Sequence, residues 1–275
     1  MNVKVEIICV GNELLIGKTL NTNSHWLAKQ ATTLGANVHR ITVIGDEVTE
    51  IARGLREALM RKPRFIITTG GLGPTFDDKT LQGIAKGLAR KLCVNDEALE
   101  MVRAKYEKLL KEGKIEKVDM TPSRTKMATL PERTVPLPNP VGTAPGMLAK
   151  ARGTSIIALP GVPPEMEAIF DESVAPLIKK ETKTAFFEAS IYIAGVMESN
   201  LAPLIDSTMR ANPSVYVKSH VYTKSNPQIE GKKSHIELHF STIGASSIRA
   251  KKCLDKAIAH LSDQIVKSGG SVLPS

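Results

Sequence analysis

The residues best suited to chemistry lie in one glycine-rich segment, TTGGLGPTFDDKT. Gly70, Gly71 and Gly73 allow the backbone to approach a ligand closely, and the amides of such a loop before a helix can bind phosphate oxygens. Asp77 and Asp78 follow, and carboxylates beside a bound phosphate need a cation between them, for which Mg²⁺ is the natural choice. Because the segment has neither the GxxxxGK[ST] spacing of a P-loop nor GxGxxG, it predicts a metal-assisted phosphate site and does not indicate a P-loop kinase or an NAD enzyme.

Two further segments place acidic or amide side chains after predicted strands. GNELLIGKTLNTN contains Glu13, Asn21 and Asn23, and IGDE contains Asp46. Each acidic residue has a structural alternative, because Glu13 or Asp46 could stabilise its own loop and Asp78 could cap the helix that follows it. Their expected arrival at one edge of one sheet is hard to explain by loop stability alone, and it favours a shared binding site.

Hydrophobic periodicity predicts the elements that position these residues. Apolar, β-branched runs predict strands at 3–10, 38–44 and 65–69, and helical spacing predicts helices at 23–34 and 49–61. This alternation is typical of a parallel sheet with crossover helices on both faces. Ligands of such sheets bind beyond the carboxyl ends of the strands, so we expect the site in the loops that open there.

The rest of the chain predicts a second, smaller domain. Before it, the pattern predicts helices at 78–92, 96–117 and 163–180. An extended Pro-rich stretch is predicted at 131–145, and strands are predicted at 146–150 and 154–159. After Lys183 the order becomes β-α-β-β-α, which suits a small α+β module of about 90 residues. We therefore predict an α/β domain at 1–180, with three α/β/α layers and a mostly parallel sheet, and an α+β module at 181–275.

Composition narrows the classes of partner. The 275-residue chain has 37 Lys and Arg against 28 Asp and Glu, a net charge of +9, which raises the question of a nucleic-acid or phosphate-bearing partner. Aromatic residues are only 4% of the chain, and the second module has no GxxG loop, so nucleic acid is disfavoured. Much of the basic surplus is interleaved with acids on predicted helices, and it better suits small anionic phosphate esters.

No membrane or secretory feature is expected. Lys4 and Glu6 interrupt the N-terminal apolar run, so no signal peptide is predicted, and no stretch approaches the roughly 18 apolar residues of a membrane span. The three cysteines lie far apart without a CxxC pair, as is usual for thiols in a reducing compartment. We expect a cytoplasmic protein.

Five ordered motifs carry a family resemblance. They are GNELLIGKTLNTN, VIGDE, TTGGLGPTFDDKT, LPNPVGTAPGM and LPGVPPEM. Over about residues 1–180 the chain resembles the molybdopterin-binding-like domain of the CinA family, which is related to MoaB and MogA. The remainder is more weakly similar to the KH-type module of CinA proteins. Longer members continue into a nicotinamide-mononucleotide amidase domain, whereas this chain ends at Ser275, so deamidase activity is not expected.

The resemblance implies pyrophosphate chemistry that depends on a divalent cation: Mg²⁺, or else Co²⁺, Ni²⁺ or Mn²⁺. The two aspartates of the MogA pattern match Asp46 and Asp78, which are therefore expected to be catalytic and to bind the metal. Asp77 belongs to the CinA version of the motif, and it is expected to be a third metal ligand. The motifs and the resemblance together assign substrate binding to Gly11, Asn12, Glu13, Asn21, Gly70, Gly71, Leu72, Gly73, Thr75, Asn139, Gly142, Thr143, Pro160 and Gly161.

Three functions remain open at this point. The first is a hydrolase of nucleotide diphosphate sugars such as ADP-ribose, and the second is a molybdopterin adenylyltransferase of molybdenum-cofactor biosynthesis. The third is a non-catalytic nucleotide- or RNA-binding protein. In each enzyme function the partner is a small nucleotide with a diphosphate, and the family resemblance implies a homodimer.

Overall fold

The computed structural model describes residues 3–222 and 235–273. The chain divides into two compact units, Met1–Thr182 and Lys183–Ser275. In the described ranges, no helix is both long enough and apolar enough to cross a bilayer.

The first unit is built on a six-stranded sheet in the order β2-β1-β3-β8-β7-β6. Strands β2, β1, β3 and β8 are parallel, and β7 runs antiparallel to both β8 and β6. A separate two-stranded ribbon pairs β4 with β5. The strands are β1 (Lys4–Val10), β2 (Asn37–Ile44), β3 (Phe65–Thr69), β4 (Leu92–Val94), β5 (Thr129–Pro131), β6 (Thr134–Leu137), β7 (Gly146–Ala151) and β8 (Thr154–Leu159).

Helices cover both faces of this sheet, which confirms the predicted α/β/α layers. One core contains residues of α3 and α4, such as Leu55 and Ile84, and the other contains residues of α2, α7 and α8, such as Leu27, Met166 and Ile178. The helices are α1 (Asn12–Leu15), α2 (Thr22–Thr33), α3 (Val48–Met60), α4 (Thr80–Leu88), α5 (Asp96–Lys111), α6 (Pro122–Met127), α7 (Pro163–Ile169) and α8 (Ala175–Glu181).

The element boundaries differ from the predicted ones where local backbone chemistry intervenes. The helix predicted over 96–117 ends at Lys111, because Gly113 takes a φ of 69° and leaves the helical conformation. The helix predicted from Asp78 begins at Thr80, since the aspartates before it belong to a turn. A π-helical turn, Phe170–Val174, separates α7 from α8 within the predicted 163–180 helix.

A buried ion pair ties α3 to the sheet and makes a stability prediction. Glu6 of β1 is 2% exposed, and Arg61 donates to its Oε1 at 2.8 Å and its Oε2 at 2.7 Å. We expect Arg61→Ala to lower the free energy of unfolding by about 2 kcal/mol, because it leaves a buried carboxylate unpaired, although Arg61 is itself partly exposed. Urea denaturation measures the loss. The control Arg53→Ala removes an exposed pair, and an equal loss in both variants would contradict the prediction.

In its described residues, the second unit is a four-stranded antiparallel sheet with two helices. The sheet order is β10-β11-β9-β12, and its core includes Leu238, Phe240 and Leu261. The observed order extends the predicted β-α-β-β-α pattern by one short strand. The elements are β9 (Ala185–Ala194), α9 (Glu198–Ala211), β10 (Val215–Tyr222), β11 (His235–Gly244), α10 (Ser247–Lys267) and β12 (Ser271–Leu273).

Candidate functional site

A cavity of about 500 Å³ opens at the carboxyl edge of the parallel strands. Its lining includes Val10 and Thr69, which end β1 and β3, and Pro160, which directly follows β8. Strand β1 lies between β2 and β3, and α2 packs on one face of the sheet whereas α4 packs on the other. The cavity therefore occupies a topological switch point, which is where open α/β sheets bind ligands.

The glycine-rich loop after β3 requires its glycines. Gly70 has a φ of 103°, and a Cβ at this position would lie 2.2 Å from the carbonyl oxygen of Val10. Gly71 has a φ of 67°, and a Cβ there would lie 2.3 Å from Thr80 Oγ1. The fully buried Thr80 donates its hydroxyl to the Gly70 carbonyl at 2.7 Å. The loop is thus held tightly at its base and leaves its following residues facing the cavity.

Thr75 organises the two aspartates that follow this loop. Asp78 Oδ2 accepts hydrogen bonds from the Thr75 amide at 2.9 Å and the Thr75 hydroxyl at 2.6 Å. The same hydroxyl contacts Asp77 Oδ1. This hydroxyl contact is the main cause that lowers the pKa of Asp77, and its own backbone amide and the charges of Lys126 and Lys79 add to the effect. Asp77 and Asp78 line the cavity, whereas Thr75 lies outside the lining and contacts them through its hydroxyl.

The Thr75 hydroxyl makes a pH prediction. We expect Thr75→Ala to raise the pKa of Asp77 towards its ordinary value of 3.8, because the largest stabilisation of the ionised form is lost. Since the folded pKa lies below 3.8, the contribution of Asp77 to stability is complete above that pH and is lost as the pH falls through the folded pKa. Carboxyl-carbon NMR titration measures the shift. Thr75→Ser keeps the hydroxyl and should leave the titration unchanged; a similar rise in Thr75→Ser would contradict the assignment.

The loops after β1 and β2 hold each other in place. The Asn12 backbone amide donates to Asp46 Oδ2 at 2.8 Å, and the Asp46 backbone amide donates to the side-chain oxygen Oδ1 of Asn12 at 3.4 Å. Asp46 and Glu13 line the cavity, and Asn12 does not. A Cβ on Gly11 would lie 2.3 Å from Glu13 Oε1, so the glycine leaves room for this carboxylate. Asn12 therefore holds Asp46 in position and does not itself line the cavity.

Asn21 and Asn23 make different hydrogen bonds at the start of α2. Asn21 caps the helix through the Ser24 amide at 3.1 Å. Asn23 donates from Nδ2 to Thr69 Oγ1 at 3.0 Å and to the Gly161 carbonyl at 2.8 Å, which links the start of α2 to the end of β3 and to the loop after β8. Beneath them, burial raises the pKa of the Cys9 thiol, against hydrogen bonds to Asn21 and Ser24 that lower it.

The segment between β6 and β7 is organised by one buried amide. Asn139 is 5% exposed, and its Oδ1 accepts from the amides of Val141 at 3.1 Å and Gly142 at 2.7 Å. Its Nδ2 donates to the Ala144 carbonyl at 2.8 Å and to Glu165 Oε2 at 2.7 Å. Neither Asn139 nor Gly142 lines the cavity. The Asn139 amide makes its hydrogen bonds within the loop and to Glu165.

The structure brings most of the residues predicted to form the site to one cavity. The residues that line it are Gly11, Glu13, Asn21, Asp46, Gly70, Gly71, Leu72, Gly73, Asp77, Asp78, Thr143, Pro160 and Gly161. The predicted residues that lie outside the lining are Asn12, Thr75, Asn139 and Gly142. Sequence reasoning missed Glu165 and Thr69. Glu165 could have been found, since it is the acidic residue of LPGVPPEM.

Among the described residues, the ionisable side chains that line the cavity are all acidic. They are Glu13, Asp46, Asp77, Asp78 and Glu165. A phosphate bound among them would be repelled unless a cation intervened. Within the described residues, no group of three or more His, Cys, Asp or Glu side chains is placed to hold a metal ion. The donor set nevertheless fits Mg²⁺, which commonly uses one or two carboxylates with water and substrate phosphate oxygens.

Comparison with known proteins gives consistent relatives. The family described as "Probable molybdopterin binding domain" matches residues 6–180. The chain is 39% identical over 271 residues to a Sulfurisphaera tokodaii protein, covering 98% of each, and 49% identical over 215 residues to an Aeropyrum pernix protein, covering 78% of this chain and 77% of that one. The crystal structure of the Thermoplasma acidophilum protein CinA, of unknown function, is similar with 40% identity and a TM-score of 0.58, over 64% of this chain and 98% of that chain.

Proposed function

This chain belongs to the probable molybdopterin-binding domain family, and we propose that it is a divalent-cation-dependent hydrolase of nucleotide diphosphate sugars such as ADP-ribose. One observation supports this most directly: a glycine-rich loop opens into a cavity whose ionisable lining side chains, among the described residues, are all acidic. Such a lining suits a ligand that arrives with a cation. A volume of about 500 Å³ is within the usual range for small-molecule sites.

The residues of the chain have distinct roles in this proposal. The amides of the loop that begins at Gly70 bind the diphosphate oxygens, and the carboxylates of Asp46 and Asp78 hold the cation. Both carboxylates are oriented before substrate arrives, Asp46 by the Asn12 amide and Asp78 by Thr75. The cation, when bound, neutralises phosphate charge and polarises a water molecule. Preorganised groups of this kind avoid reorganisation during the reaction.

The chemical outcome follows from the bond that is cleaved. Water adds to one phosphorus of ADP-ribose, the bridging P–O bond breaks, and the products are AMP and ribose 5-phosphate. The loop amides remain hydrogen-bonded to the phosphate oxygens as negative charge develops on them. Asn23 holds the start of α2, the end of β3 and the loop after β8 together, so that the diphosphate binds at a single, rigid edge of the sheet.

A second candidate function uses the same site. The description of the matching family names molybdopterin, which favours a molybdopterin adenylyltransferase. In that reaction a pterin phosphate attacks the α-phosphorus of ATP, and pyrophosphate leaves in place of a hydrolysis product. Both reactions need a diphosphate held on amides and charge neutralised by a cation, so the two functions are separated by substrate rather than by site architecture.

A substrate panel tests both functions. The protein is incubated with ADP-ribose, NAD, FAD, coenzyme A, or ATP plus molybdopterin, each with Mg²⁺, Mn²⁺, Co²⁺ or Ni²⁺, and mononucleotide release is followed by chromatography. AMP from ADP-ribose, abolished by EDTA and restored by added metal, is the expected result. Adenylylated pterin without ADP-ribose cleavage would favour the second function. No product from any substrate would overturn both.

A further inference from the structure

Glu165 lies at the cavity on the side away from Asp46. It follows β8, which neighbours β3, whereas Asp46 follows β2, two strands from β3 in the opposite direction. A diphosphate on the loop after β3 therefore has one acidic side at β1 and β2 and a second at β8. The strands that precede Glu165 and Asp46, β8 and β2, are three positions apart in the sheet.

Helix capping does not account for the Glu165 side chain. Glu165 occupies the first turn of α7, directly after two prolines that have no amide hydrogen to satisfy. The N-cap residue of α7, Val162, has no side-chain cap bond. A glutamate at this position often reaches back to the N-cap amide, but here Oε2 instead accepts a hydrogen bond from Asn139 at 2.7 Å.

The surrounding loop is built around this carboxylate. Asn139 is buried and holds the 139–144 loop through three further hydrogen bonds, so it offers Glu165 a fixed donor. A Cβ on Gly142 would lie only 1.9 Å from Glu165 Oε2. Any larger residue at position 142 would therefore displace the carboxylate. In the described part of the chain, the other oxygen, Oε1, accepts no hydrogen bond. The carboxylate is thus held by one oxygen with the second left for a ligand.

The chemistry of a held carboxylate selects hydroxyl donors. An ionised carboxylate only accepts hydrogen bonds, and it repels phosphate oxygens unless a cation lies between them. A ribose offers two adjacent hydroxyl donors, and a carboxylate that accepts from ribose hydroxyls is the recognition used in dinucleotide-binding sheets. Lys105 lies close enough to interact with the Glu165 charge, but its ammonium is bonded to the Pro140 carbonyl at 2.8 Å.

We propose that Glu165 is a specificity-determining residue that accepts the 2′-hydroxyl of a ribose joined through its 5′ oxygen to the bound diphosphate. The inference rests on the proposed function, since it assumes a diphosphate on the glycine-rich loop. It assigns the site to ribonucleotide diphosphates over 2′-deoxy and 2′-phosphorylated analogues. Asn139 is then a positioning residue that acts through Glu165.

The test compares two ligands that differ by one hydroxyl. Binding of ADP and 2′-deoxy-ADP in Mg²⁺ is measured by calorimetry for the wild type, Glu165→Gln and the control Glu167→Gln, which lies on the same helix outside the lining. We expect the wild type and Glu167→Gln to prefer ADP by about tenfold or more, as for a hydrogen bond to a charged group. In Glu165→Gln the preference should fall to about threefold or less, with the affinity for 2′-deoxy-ADP nearly unchanged.

The outcomes separate this inference from the function on which it rests. If both nucleotides bind the wild type equally, or if Glu165→Gln keeps the full preference, the role of Glu165 is wrong while diphosphate binding stands. If neither nucleotide binds the wild type with Mg²⁺, the proposed function fails and the inference fails with it. An equal loss of affinity for both nucleotides in Glu165→Gln would show a structural role and would overturn the proposal, and circular dichroism reports whether that variant is folded.

Discussion

Asp78→Asn is expected to reduce kcat for cation-dependent cleavage of ADP-ribose by about 1,000-fold, or about 4 kcal/mol of transition-state stabilisation. The substitution removes the negative charge that we propose holds the cation but keeps the shape of the side chain. The Asn oxygen can still accept the Thr75 amide, which donates to Asp78 Oδ2 at 2.9 Å, so the loop should keep its conformation. The loss should therefore appear in turnover rather than in stability.

A matched aspartate provides the control. Asp96 lies in the first turn of α5, outside the cavity lining, so Asp96→Asn also removes a carboxylate at a helix N-terminus. Steady-state rates and thermal unfolding are compared for both variants. We expect Asp96→Asn to turn over at the wild-type rate and both melting temperatures to stay within a few degrees of the wild type. Cleavage by Asp78→Asn at the wild-type rate would show that Asp78 has no role in the reaction.

Gly70→Ala is expected to destabilise the first unit by about 4 kcal/mol. The φ of 103° at Gly70 lies outside the left-handed region that other residues tolerate. The added Cβ would also lie 2.2 Å from the Val10 carbonyl oxygen, which belongs to the backbone of β1 and cannot rotate away. To relieve the clash, the end of β1 and the glycine-rich loop must separate, so we also expect loss of the proposed nucleotide binding.

Gly113 supplies a control that separates backbone strain from the clash. It has a left-handed φ of 69°, and a Cβ there would meet nothing within 4 Å. Gly113→Ala should therefore lose only about 1 kcal/mol, the strain of a left-handed alanine. Urea denaturation of both variants gives the difference. If Gly70→Ala loses no more free energy of unfolding than Gly113→Ala, the clash with Val10 can be avoided by a small backbone shift. The tight contact at the base of the loop would then not be essential for stability.

Much of the first unit follows from short-range patterns. The buried run FIITT predicts β3 with the same bounds that the structure shows, and the amphipathic spacing of Ile51, Leu55 and Leu59 predicts α3 within one residue. Boundaries that depend on single turns are less predictable, as the end of α5 before Gly113 shows. The β4–β5 ribbon was not predicted, because three-residue strands carry too little alternation to indicate pairing.

The candidate site divides in the same way. Acidic residues after β1, β2 and β3 could be predicted to meet, since parallel strands end at one edge, and Glu13, Asp46 and Asp78 do line one cavity. Asn139 was predicted to line the substrate, but its amide is used within its own loop and against Glu165. A sequence motif shows that a residue is near a site, and it does not show which atoms remain free.

The sequence by itself determined the class of fold, the glycine-rich loop and the acidic character of the strand ends, because periodicity and turn chemistry act over a few neighbouring residues. Only the tertiary structure decided which side chains face the cavity and which support them. The pairs Asn12 with Asp46 and Asn139 with Glu165 join residues that are 34 and 26 positions apart. Such hydrogen bonds depend on how the strands pack side by side, and no local pattern contains that information.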